Sequence, residues 1–542
     1  MEFILKKNTP TQKFHKHWQF CVGSGHAGMA MRTDYCRQLK RVHEELGIQR
    51  VRFHGIFCDD MHTWDTMDVL ADTSASPVPI PYHENSFRLA GLVYDNILEC
   101  GMKPFVELSF MPKALAKTDK RGGFFYKPNI AMPRDDAQWQ GYIRKFIRFL
   151  LDRYGKEEVE TWYFEVWNEP DLPLAFFYGT QQDYFHLYEI TVRAIKEVDD
   201  KLMVGGPATS NSKWVEAFVA FCEEKGVPAD FITTHQYAGD PISGASDQSG
   251  LETEADLVQL EEDDRKKYAP QGDISQLFQG LPTEDALLPV FRRILQDNTE
   301  TDDLNRDILP QNAAVVREQA KGRPVFYTEW NTCATFTAPG NDTRKVAAYD
   351  VRTILAAEAV LEGSSIWCFS DIFEELHPFQ EEFHGGFGIQ TQHGIPKPVY
   401  HALKMLADAG DERYVLPGAL DGEVSFAAFQ KGGDIQLLLT RQNLKHFANA
   451  DTEPAVVTLR VELEKAPQVV QLQRIDEDHC NPLQVWEEMG APIDITPSQK
   501  QVIIEESALA TEMLPVNYEN GILTIEAALG INDVYFFTIH TA

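Results

Sequence analysis

The stretch WYFEVWNEPDL, residues 162–172, opens with the apolar residues of a buried strand and carries a glutamate inside it. Side chains alternate between the two faces of a strand, which places Glu165 and Glu169 on one face and Asn168 on the other, largely apolar face. Pro170 lacks a backbone N–H, so regular pairing is expected to stop just before it. The stretch therefore predicts a sheet strand whose carboxyl end delivers Glu169.

The same kind of run recurs on both sides of this stretch. Eight apolar runs are typical of strands: WQFCVG (18–23), VRFHGIF (51–57), KPFVELSF (103–110), WYFEVW (162–167), LMVGGP (202–207), FITTHQY (231–237), PVFYTEW (324–330) and SIWCFS (365–370). Amphipathic runs such as AQWQGYIRKFIRFLLDRYG, residues 137–155, separate them, and apolar strands alternating with helices indicate a parallel sheet covered by helices. Eight such units predict an α/β fold, a (β/α)8 TIM barrel over residues 16–410. A doubly wound open sheet is the alternative, because strand order cannot be read from a sequence.

Three regions depart from this alternation. Residues 238–301, after FITTHQY, form a long insertion rich in Asp, Glu, Gln and Ser, which would lie beside an active site as a lid or form a surface or partner-binding excursion. Residues 411–542 contain short strands separated by turns and predict an appended all-β sandwich domain. Residues 1–15 are expected to add a strand to that sandwich.

Composition limits the partners and the compartment. The 542-residue chain has 50 Lys and Arg against 82 Asp and Glu, a net charge of −32, and such an acidic surface repels nucleic acid and anionic membranes. Its eight cysteines form no C-x-x-C pair, which favours free thiols in a reducing compartment. The sequence shows neither a signal peptide nor an apolar run of membrane-spanning length. We therefore predict a cytoplasmic protein.

A second glutamate ends the seventh apolar run in the same way. In PVFYTEWNT, residues 324–332, Glu329 closes the strand, so Glu169 and Glu329 are expected on opposite sides of the barrel mouth, where barrel enzymes keep their chemistry. Glycoside hydrolysis needs such a pair, one acid to protonate the leaving oxygen and one carboxylate to attack the anomeric carbon. Burial and mutual repulsion would raise the pKa of one of them. Glu165 lies deeper and needs a buried partner such as Arg or His, whereas Asp171 is expected to cap or meet solvent in the loop.

Several motifs, in order along the chain, resemble glycoside hydrolase family 39, the family of β-xylosidases and α-L-iduronidase. They run from the first predicted strand to the last barrel helix: RFHGIFCDDM (52–61), FEVWNEPDL (164–172), FITTHQY (231–237), FYTEWNT (326–332), IWCFSDIFEE (366–375) and HGGFGIQTQHGIPKPVYHALKML (384–406). The resemblance is thin over the insertion and over the β-rich C-terminus. It implies a (β/α)8 barrel with an appended β-sandwich and a double displacement that retains the anomeric configuration.

The resemblance also implies roles for single residues, with Glu169 as acid/base and Glu329 as nucleophile. Asn168 would hold the sugar 2-hydroxyl, Trp367 would offer a stacking wall, and further side chains would contact the sugar: His54, His235, Tyr237 and Glu375. The expected reaction removes terminal β-D-xylosyl or related β-glycosyl residues from short oligosaccharides, with no cofactor and no metal. The expected partner is an oligosaccharide or glycoside, and assembly into a homo-oligomer is left open. Without the resemblance, His235 and Trp367 would be taken as core residues.

Other functions stay open at this point. An α-L-iduronidase-like enzyme must hold a sugar carboxylate, yet residues 353–411 contain no Arg, and Lys397 and Lys404 lie in the following helical region. The insertion supplies basic residues that keep this option alive: Arg265, Lys266, Lys267, Arg292 and Arg293. A non-catalytic carbohydrate-binding barrel would be expected to lack one of the two glutamates, and both are present. A metal-dependent amidohydrolase is the third alternative.

Three motifs suggest cofactor or metal chemistry and are weighed against it. GSGHAG, residues 23–28, fits a dinucleotide-binding turn, but VRFHGIF lacks the closing acid that would bind a ribose, which favours a tight βα turn. HKH, residues 15–17, precedes the first strand, at the wrong end of the barrel for a catalytic metal. HGIFCDDMH, residues 54–62, offers His54, Cys58, Asp59 and His62 as possible metal ligands. His54 shares a strand face with Arg52, however, which favours a sugar-contacting or core histidine.

Overall fold

The computed structural model describes residues 1–71, 78–267, 305–334, 336–373, 375, 381–444 and 453–541. Residues 268–301 of the predicted insertion therefore lie outside the described residues. Within the described ranges, no helix is both long and apolar enough to cross a membrane.

Two short strands, β1 (Glu2–Leu5) and β2 (Thr11–Lys13), precede the barrel and pair with C-terminal sheets. The next strands in chain order are β3 (Cys21–His26), β4 (Arg50–His54), β5 (Trp64–Ala71), β6 (Val78–Asn85), β7 (Lys103–Glu107), β8 (Tyr163–Glu165), β9 (Met203–Thr209), β10 (Phe231–Tyr237), β11 (Val325–Asn331) and β12 (Gly363–Ile366). All of these except the β5–β6 hairpin form a closed parallel barrel, in which β12 pairs with β3. The predicted eight-stranded barrel is thus confirmed, and the open sheet is wrong.

The described chain contains twelve α-helices, and those that surround the barrel bury an apolar face against it. In the described chain they are α1 (Thr33–Leu46), α2 (Arg88–Glu99), α3 (Asp136–Tyr154), α4 (Lys156–Val159), α5 (Gln181–Val198), α6 (Val215–Lys225), α7 (Glu254–Lys267), α8 (Ile308–Gln319), α9 (Arg344–Ala357), α10 (Pro398–Asp408), α11 (Pro482–Glu488) and α12 (Pro497–Glu506). Helix α3 shows the local reasons. The Asp135 side chain accepts from the Gln138 N–H as an N-cap, and Gly155 ends the helix with a positive φ.

The barrel interior changes character along its axis. Near the amino ends of the strands it is an aromatic layer formed by Phe20, Phe105, Tyr163, Phe231 and Phe326. Two residues further along β7 and β8, the inward side chains are charged. Phe105 in β7 is followed by Glu107, and Tyr163 in β8 is followed by Glu165. Phe105 pairs with Tyr163 and Glu107 with Glu165 in the register of these two strands. The functional residues lie on this charged layer and above it.

The C-terminal region forms two further sheets that pack face to face. Its strands are β13 (Glu412–Tyr414), β14 (Val424–Lys431), β15 (Asp434–Arg441), β16 (Ala455–Glu462), β17 (Val469–Ile475), β18 (Glu512–Leu514), β19 (Tyr518–Glu519), β20 (Ile522–Leu529) and β21 (Val534–His540). One sheet has the order β18-β17-β21-β15-β14-β13-β2 and the other β1-β16-β20-β19. Phe426 and Leu439 of the first sheet share a buried cluster with Leu459 of the second. Helices α11 and α12 lie between β17 and β18 in the chain.

Candidate active site

The chain beyond β8 turns in a way that strand periodicity does not predict. The strand ends at Glu165, and both Trp167 (φ 74°) and Glu169 (φ 40°) have left-handed backbone conformations. The alternation of faces therefore stops after Glu165. Asn168, predicted on the outward face, instead points into the barrel, where its Oδ1 accepts from Arg52 Nη2 at 2.8 Å. The assignment of Asn168 to the outward face is wrong, because regular alternation requires extended φ angles throughout.

Glu169 and Glu329 meet at the carboxyl end of the barrel. Both are buried, with 7% and 4% of their surface exposed. One carboxylate oxygen of Glu169 and one of Glu329 lie within 4.8 Å of each other and of a ring nitrogen of His235. Strand pairing brings His235 in β10 beside Glu329 in β11, after a register shift in which Thr328 of β11 is left without a partner residue in β10. Two strand ends that are distant in sequence thus place two carboxyl groups side by side.

Glu169 lies in surroundings that favour its protonated form. Burial raises the pKa of this carboxyl to about 7, against the opposing effect of the positive charges on His54 and Arg52. Its Oε1 is 2.9 Å from Nδ1 of His235, whose own pKa burial lowers to about 4. His235 is therefore a neutral imidazole at neutral pH. Its Nε2 contacts no hydrogen-bond partner among the described residues. A carboxyl group that holds a proton near pH 7 is suited to general acid catalysis.

Glu329, by contrast, is anchored as a hydrogen-bond acceptor on both oxygens. Oε1 accepts from Arg52 Nη1 at 2.8 Å, and Oε2 accepts from the Tyr237 hydroxyl at 3.0 Å. Burial raises the pKa of Tyr237 well above its ordinary value, so its hydroxyl stays a donor. These two contacts, one of them to a guanidinium, fix the orientation of the Glu329 side chain. The two glutamates thus differ in environment as an acid and a nucleophile must.

Arg52 is the centre of the charged layer and is fully buried. Its Nε donates to Glu165 at 2.6 Å, and its Nη2 also lies 2.8 Å from Glu107. The other oxygen of Glu165 accepts from Thr328 Oγ1 at 2.9 Å. Arg52 is therefore the buried partner that Glu165 requires. A guanidinium suits this place because its five N–H donors in a rigid fork can satisfy several carboxylates at once.

His54 and Glu375 form the side of the site next to Glu329. His54 Nδ1 lies 2.7 Å from Glu107, and Nε2 lies 3.5 Å from Glu375 and 3.6 Å from Glu329. Burial lowers the pKa of His54, but Glu107 and Glu375 outweigh it and raise that pKa to about 9. Burial raises the pKa of Glu375 to about 8. An imidazolium and a protonated carboxyl group can each donate a hydrogen bond to the hydroxyl oxygen of a ligand.

Trp367 provides an apolar wall between these polar groups. Its ring lies 4.9 Å from that of His54, and it belongs to a buried aromatic cluster that also contains Tyr237, Phe336, Phe373 and Phe387. Gly23 leaves room for this wall, because a Cβ atom at Gly23 would overlap the Trp367 ring. Four of the six residues of the GSGHAG motif belong to β3. The missing side chain of Gly23 in this motif makes space for the Trp367 ring. A flat aromatic face here suits the apolar C–H face of a pyranoside.

The structure brings all eight predicted site residues to one end of the barrel, around the two glutamates. Sequence reasoning missed Glu107 and treated Arg52 only as a neighbour of His54. The available signal was an acid inside the apolar run KPFVELSF, which is the same pattern that singled out Glu165. Asp171, expected to cap or to contact solvent, accepts from the backbone N–H and the hydroxyl of Ser210.

The metal-like motifs are used in other ways. His17 contacts the Ser364 hydroxyl and the Ile354 carbonyl below the barrel, at 2.9 and 3.0 Å. Asp59 accepts from the Lys113 backbone and from Arg121. In the described ranges, the only set of His, Cys and acidic side chains close enough to share an ion is Glu169, His235 and Glu329. Within it, His235 Nδ1 is already hydrogen-bonded to Glu169, and we assign no metal to it.

Comparisons with known proteins agree with this geometry. The profile of Glycosyl hydrolases family 39 matches residues 1–270 and 292–517. The chain is 37% identical to a β-xylosidase of Caldicellulosiruptor saccharolyticus, over 94% of this chain and 92% of that protein. It is 30% identical to a β-xylosidase of Geobacillus stearothermophilus, over 99% and 95% of the two chains. A crystal structure titled as a family 39 β-xylosidase from Caulobacter crescentus superposes with a TM-score of 0.73 at 27% identity, covering 100% of both chains. Human α-L-iduronidase matches only 18% of this chain, at 26% identity.

Proposed function

This chain belongs to glycosyl hydrolase family 39, and on that premise we propose that it is a retaining β-xylosidase. Its substrates would be short oligosaccharides or glycosides that end in a β-D-xylosyl residue. Glu169 would act as acid/base and Glu329 as nucleophile. The enzyme class follows from the family, and the sugar is supported by the two β-xylosidases that match over more than nine-tenths of the chain.

The observation that carries the retaining mechanism is the short distance between the two carboxyl groups. Their nearest described oxygens lie within 4.8 Å of each other. Retaining glycosidases place the two carboxyl groups roughly 5–5.5 Å apart, whereas inverting enzymes hold them about 6.5–9.5 Å apart to admit a water molecule between base and sugar. The separation in this site suits direct attack by one carboxylate on the anomeric carbon.

In the first step, Glu329 attacks the anomeric carbon while the bond to the leaving-group oxygen breaks. Glu169 gives its proton to that oxygen, so the leaving group departs as a neutral alcohol. A pKa of about 7 keeps much of Glu169 protonated at neutral pH. Arg52 and Tyr237 hold the attacking carboxylate in place. The product of this step is a covalent glycosyl–enzyme ester on Glu329 and a Glu169 carboxylate.

In the second step, a water molecule attacks the anomeric carbon, and Glu169 accepts a proton from it. The ester bond to Glu329 breaks, and the electron pair returns to that carboxylate. Two displacements, each with inversion, restore the original β configuration. His235 Nδ1, 2.9 Å from Glu169 Oε1, can help to orient this carboxyl group.

The sugar would be held by polar side chains that surround the two glutamates. Asn168 Nδ2 is buried without a hydrogen-bond partner among the described residues, and it lies on the side chain whose Oδ1 is fixed by Arg52. We assign it to the sugar 2-hydroxyl. His54 Nε2 and Glu375 Oε1, 3.5 Å apart, would contact a further hydroxyl group. Trp367 would stack on one face of the ring.

An iduronidase-like activity is less well supported. It would require a cation for the sugar carboxylate. Arg52 is already shared by Glu107, Glu165, Glu329 and Asn168. Lys397 is buried between Asp342 and Asp371, at 2.7 and 2.8 Å. Arg292 and Arg293 of the insertion lie outside the described residues.

A panel of aryl glycosides tests the sugar, with β-D-xyloside, α-L-arabinopyranoside, β-D-glucoside and α-L-iduronide as informative members. We expect the β-D-xyloside to give the highest kcat/KM, and a preference for the iduronide would overturn the substrate assignment. Proton NMR of the first product tests the mechanism. A β-configured sugar supports retention, and an α-configured one refutes it. Stoichiometric zinc in active, purified protein would favour the amidohydrolase alternative.

A further inference from the structure

A third carboxylate, Glu107, contacts both cations that face the proposed nucleophile. Glu107 ends strand β7 and is 1% exposed. Its Oε2 lies 2.7 Å from His54 Nδ1 and 2.8 Å from Arg52 Nη2. Its other oxygen accepts from the Ser109 hydroxyl. Three neighbouring side chains therefore satisfy a carboxylate that lies too deep to touch a sugar.

We propose that Glu107 is a positioning residue of the reaction, which holds Arg52 on Glu329 and keeps His54 as an imidazolium facing Glu329 and Glu375. This inference rests on the proposed function, because it assigns roles to groups around the nucleophile. Glu107 itself takes part in no bond-forming step. It acts through the two cations, whose remaining donors point at the reacting centre.

The geometry of His54 gives the reason. With Nδ1–H donated to Glu107, the only ring atom left for the site is Nε2, which lies 3.6 Å from Glu329 and 3.5 Å from Glu375. A protonated ring offers an N–H there, whereas the neutral ring with its proton on Nδ1 offers only a lone pair. Loss of the proton would therefore replace a donor to a sugar hydroxyl by an acceptor next to two acids. The charge on Glu107 is what makes the protonated form favourable in a buried place.

Every charged or titratable neighbour of His54 bears on this balance. Glu107 faces it from β7, Glu329 from β11 and Glu375 from the segment after β12. Glu169 and His235 act on it at longer range. Arg52, which also lies on β4, shares the contact to Glu107. The remaining contacts are the rings of Trp367, Phe110, Phe124 and Phe176. Of the acids, only Glu107 contacts His54 within hydrogen-bond distance, so its charge should dominate.

The test is the pH profile of kcat/KM for Glu107→Gln, measured with an activated aryl glycoside. The leaving group of such a substrate needs little protonation. Loss of the Glu169 proton should therefore contribute little to the alkaline limb, which is the fall of kcat/KM at high pH. In the unmodified enzyme we expect a first loss of activity near pH 8, where Glu375 titrates, and a second as the pH rises through about 9, the pKa of His54. In Glu107→Gln the limb should move at least one unit toward acid pH. For a shift of one unit, activity at pH 8.5, measured against pH 6.5, should fall a further roughly threefold, because about three-quarters of His54 is protonated at pH 8.5 with a pKa of about 9 and about one quarter with a pKa of about 8.

Glu165→Gln is the matched control. It removes another buried carboxylate that contacts Arg52 and leaves the contacts of His54 intact. We expect a lower rate with an unmoved alkaline limb. Glu107→Asp keeps the charge and should also keep the limb near pH 9, even where the rate falls. Equal limbs in Glu107→Gln and the unmodified enzyme would overturn the inference.

A further variant covers the case in which Glu107→Gln does not fold. His54→Gln retains Glu107 and should abolish the limb near pH 9, and persistence of that limb would refute the role of His54. The outcome is separable from the proposed function. If no β-xyloside is cleaved, the substrate assignment fails, and the profile is measured on the glycoside that is cleaved. If β-xylosides are cleaved but the limb does not shift, only the role of Glu107 fails.

Discussion

The two layers inside the barrel are built from the same strands by opposite physical means. In the lower layer, Phe105 and Tyr163 pack with Phe231 and Phe326, so its stability comes from apolar area removed from water. Two residues further along the same strands, Glu107 and Glu165 share one guanidinium. The lower layer tolerates changes of pH, whereas the upper layer depends on which groups carry charge. The comparison shows how one scaffold can separate a stable core from a reactive site.

The largest expected effect falls on the chemistry of the upper layer. Glu329→Ala removes the proposed nucleophile and should lower kcat on the order of 10⁴-fold or more, as loss of a covalent nucleophile does elsewhere. Added azide should not give a β-configured product, because no glycosyl–enzyme on this face would form. Steady-state kinetics and NMR of the products check this. Near-normal turnover would remove Glu329 from the mechanism.

Glu169→Ala should separate substrates by their leaving groups. Loss of the general acid is expected to slow xylobiose cleavage by about 10²–10⁴-fold and to affect the first step on activated aryl xylosides far less. In the unmodified enzyme, kcat/KM for xylobiose should fall as the pH rises through about 7, where the Glu169 carboxyl loses its proton. Parallel assays on both substrates test the role. Equal losses on both would contradict the acid/base assignment.

Stability measurements can compare the two layers directly. Arg52→Met leaves Glu107 and Glu165 buried without their cation and should lower the free energy of unfolding by about 3–5 kcal/mol. Phe231→Ala in the aromatic layer should cost a similar amount, about 3–5 kcal/mol. The two variants are matched in burial and in expected size.

Their pH dependence should differ. Burial raises the pKa of Glu107, but His54 and Arg52 outweigh it and hold that pKa below its ordinary value. Without Arg52 the folded-state pKa rises, so the folded protein binds more protons and its stability falls as the pH rises. Denaturant unfolding at pH 5 and pH 8 should therefore show a larger loss at pH 8 for Arg52→Met only. A pH-independent loss in both variants would erase the distinction between the layers.

The smallest effect concerns a single hydroxyl group. Thr328→Val removes the bond to Glu165 and should cost about 1.5 kcal/mol, in the range for a hydrogen bond to a charged group. Thr233→Val is the control, because Thr233 Oγ1 is equally buried but has no hydrogen-bond partner in the described chain. We expect it to cost about zero. Equal costs, from thermal or denaturant unfolding, would show that packing and not charge sets the value.

Much of the fold could be predicted because it depends on local periodicity. Apolar runs of strand length, separated by amphipathic helices, recur eight times, and the barrel closes as that count requires. The pair of glutamates could be found because each lies at the end of an apolar run, where the strand pattern stops. The helices α11 and α12 were missed, since short polar helices with Pro at their start carry little periodic signal.

The site could be predicted only where a residue marks a strand end. Glu169 and Glu329 do so, but Asn168 was placed on the wrong face because two left-handed residues, Trp167 and Glu169, break the alternation. Glu107 was overlooked because an isolated acid in a strand is as consistent with a structural role as with a catalytic one. The roles of the sugar-contacting residues came from the family resemblance and remain proposals.

The sequence by itself determined the number of βα units, the approximate limits of the barrel and the two carboxyl groups at its mouth. Only the tertiary structure decided which charges meet. Arg52 contacts Glu165 across 113 residues and Glu329 across 277, through strands that touch because the barrel closes. The stretch WYFEVWNEPDL shows both parts, because its acids could be located from spacing alone but their partners could not. Periodicity is a local property of the backbone, whereas the protonation of a buried acid depends on every charge brought near it.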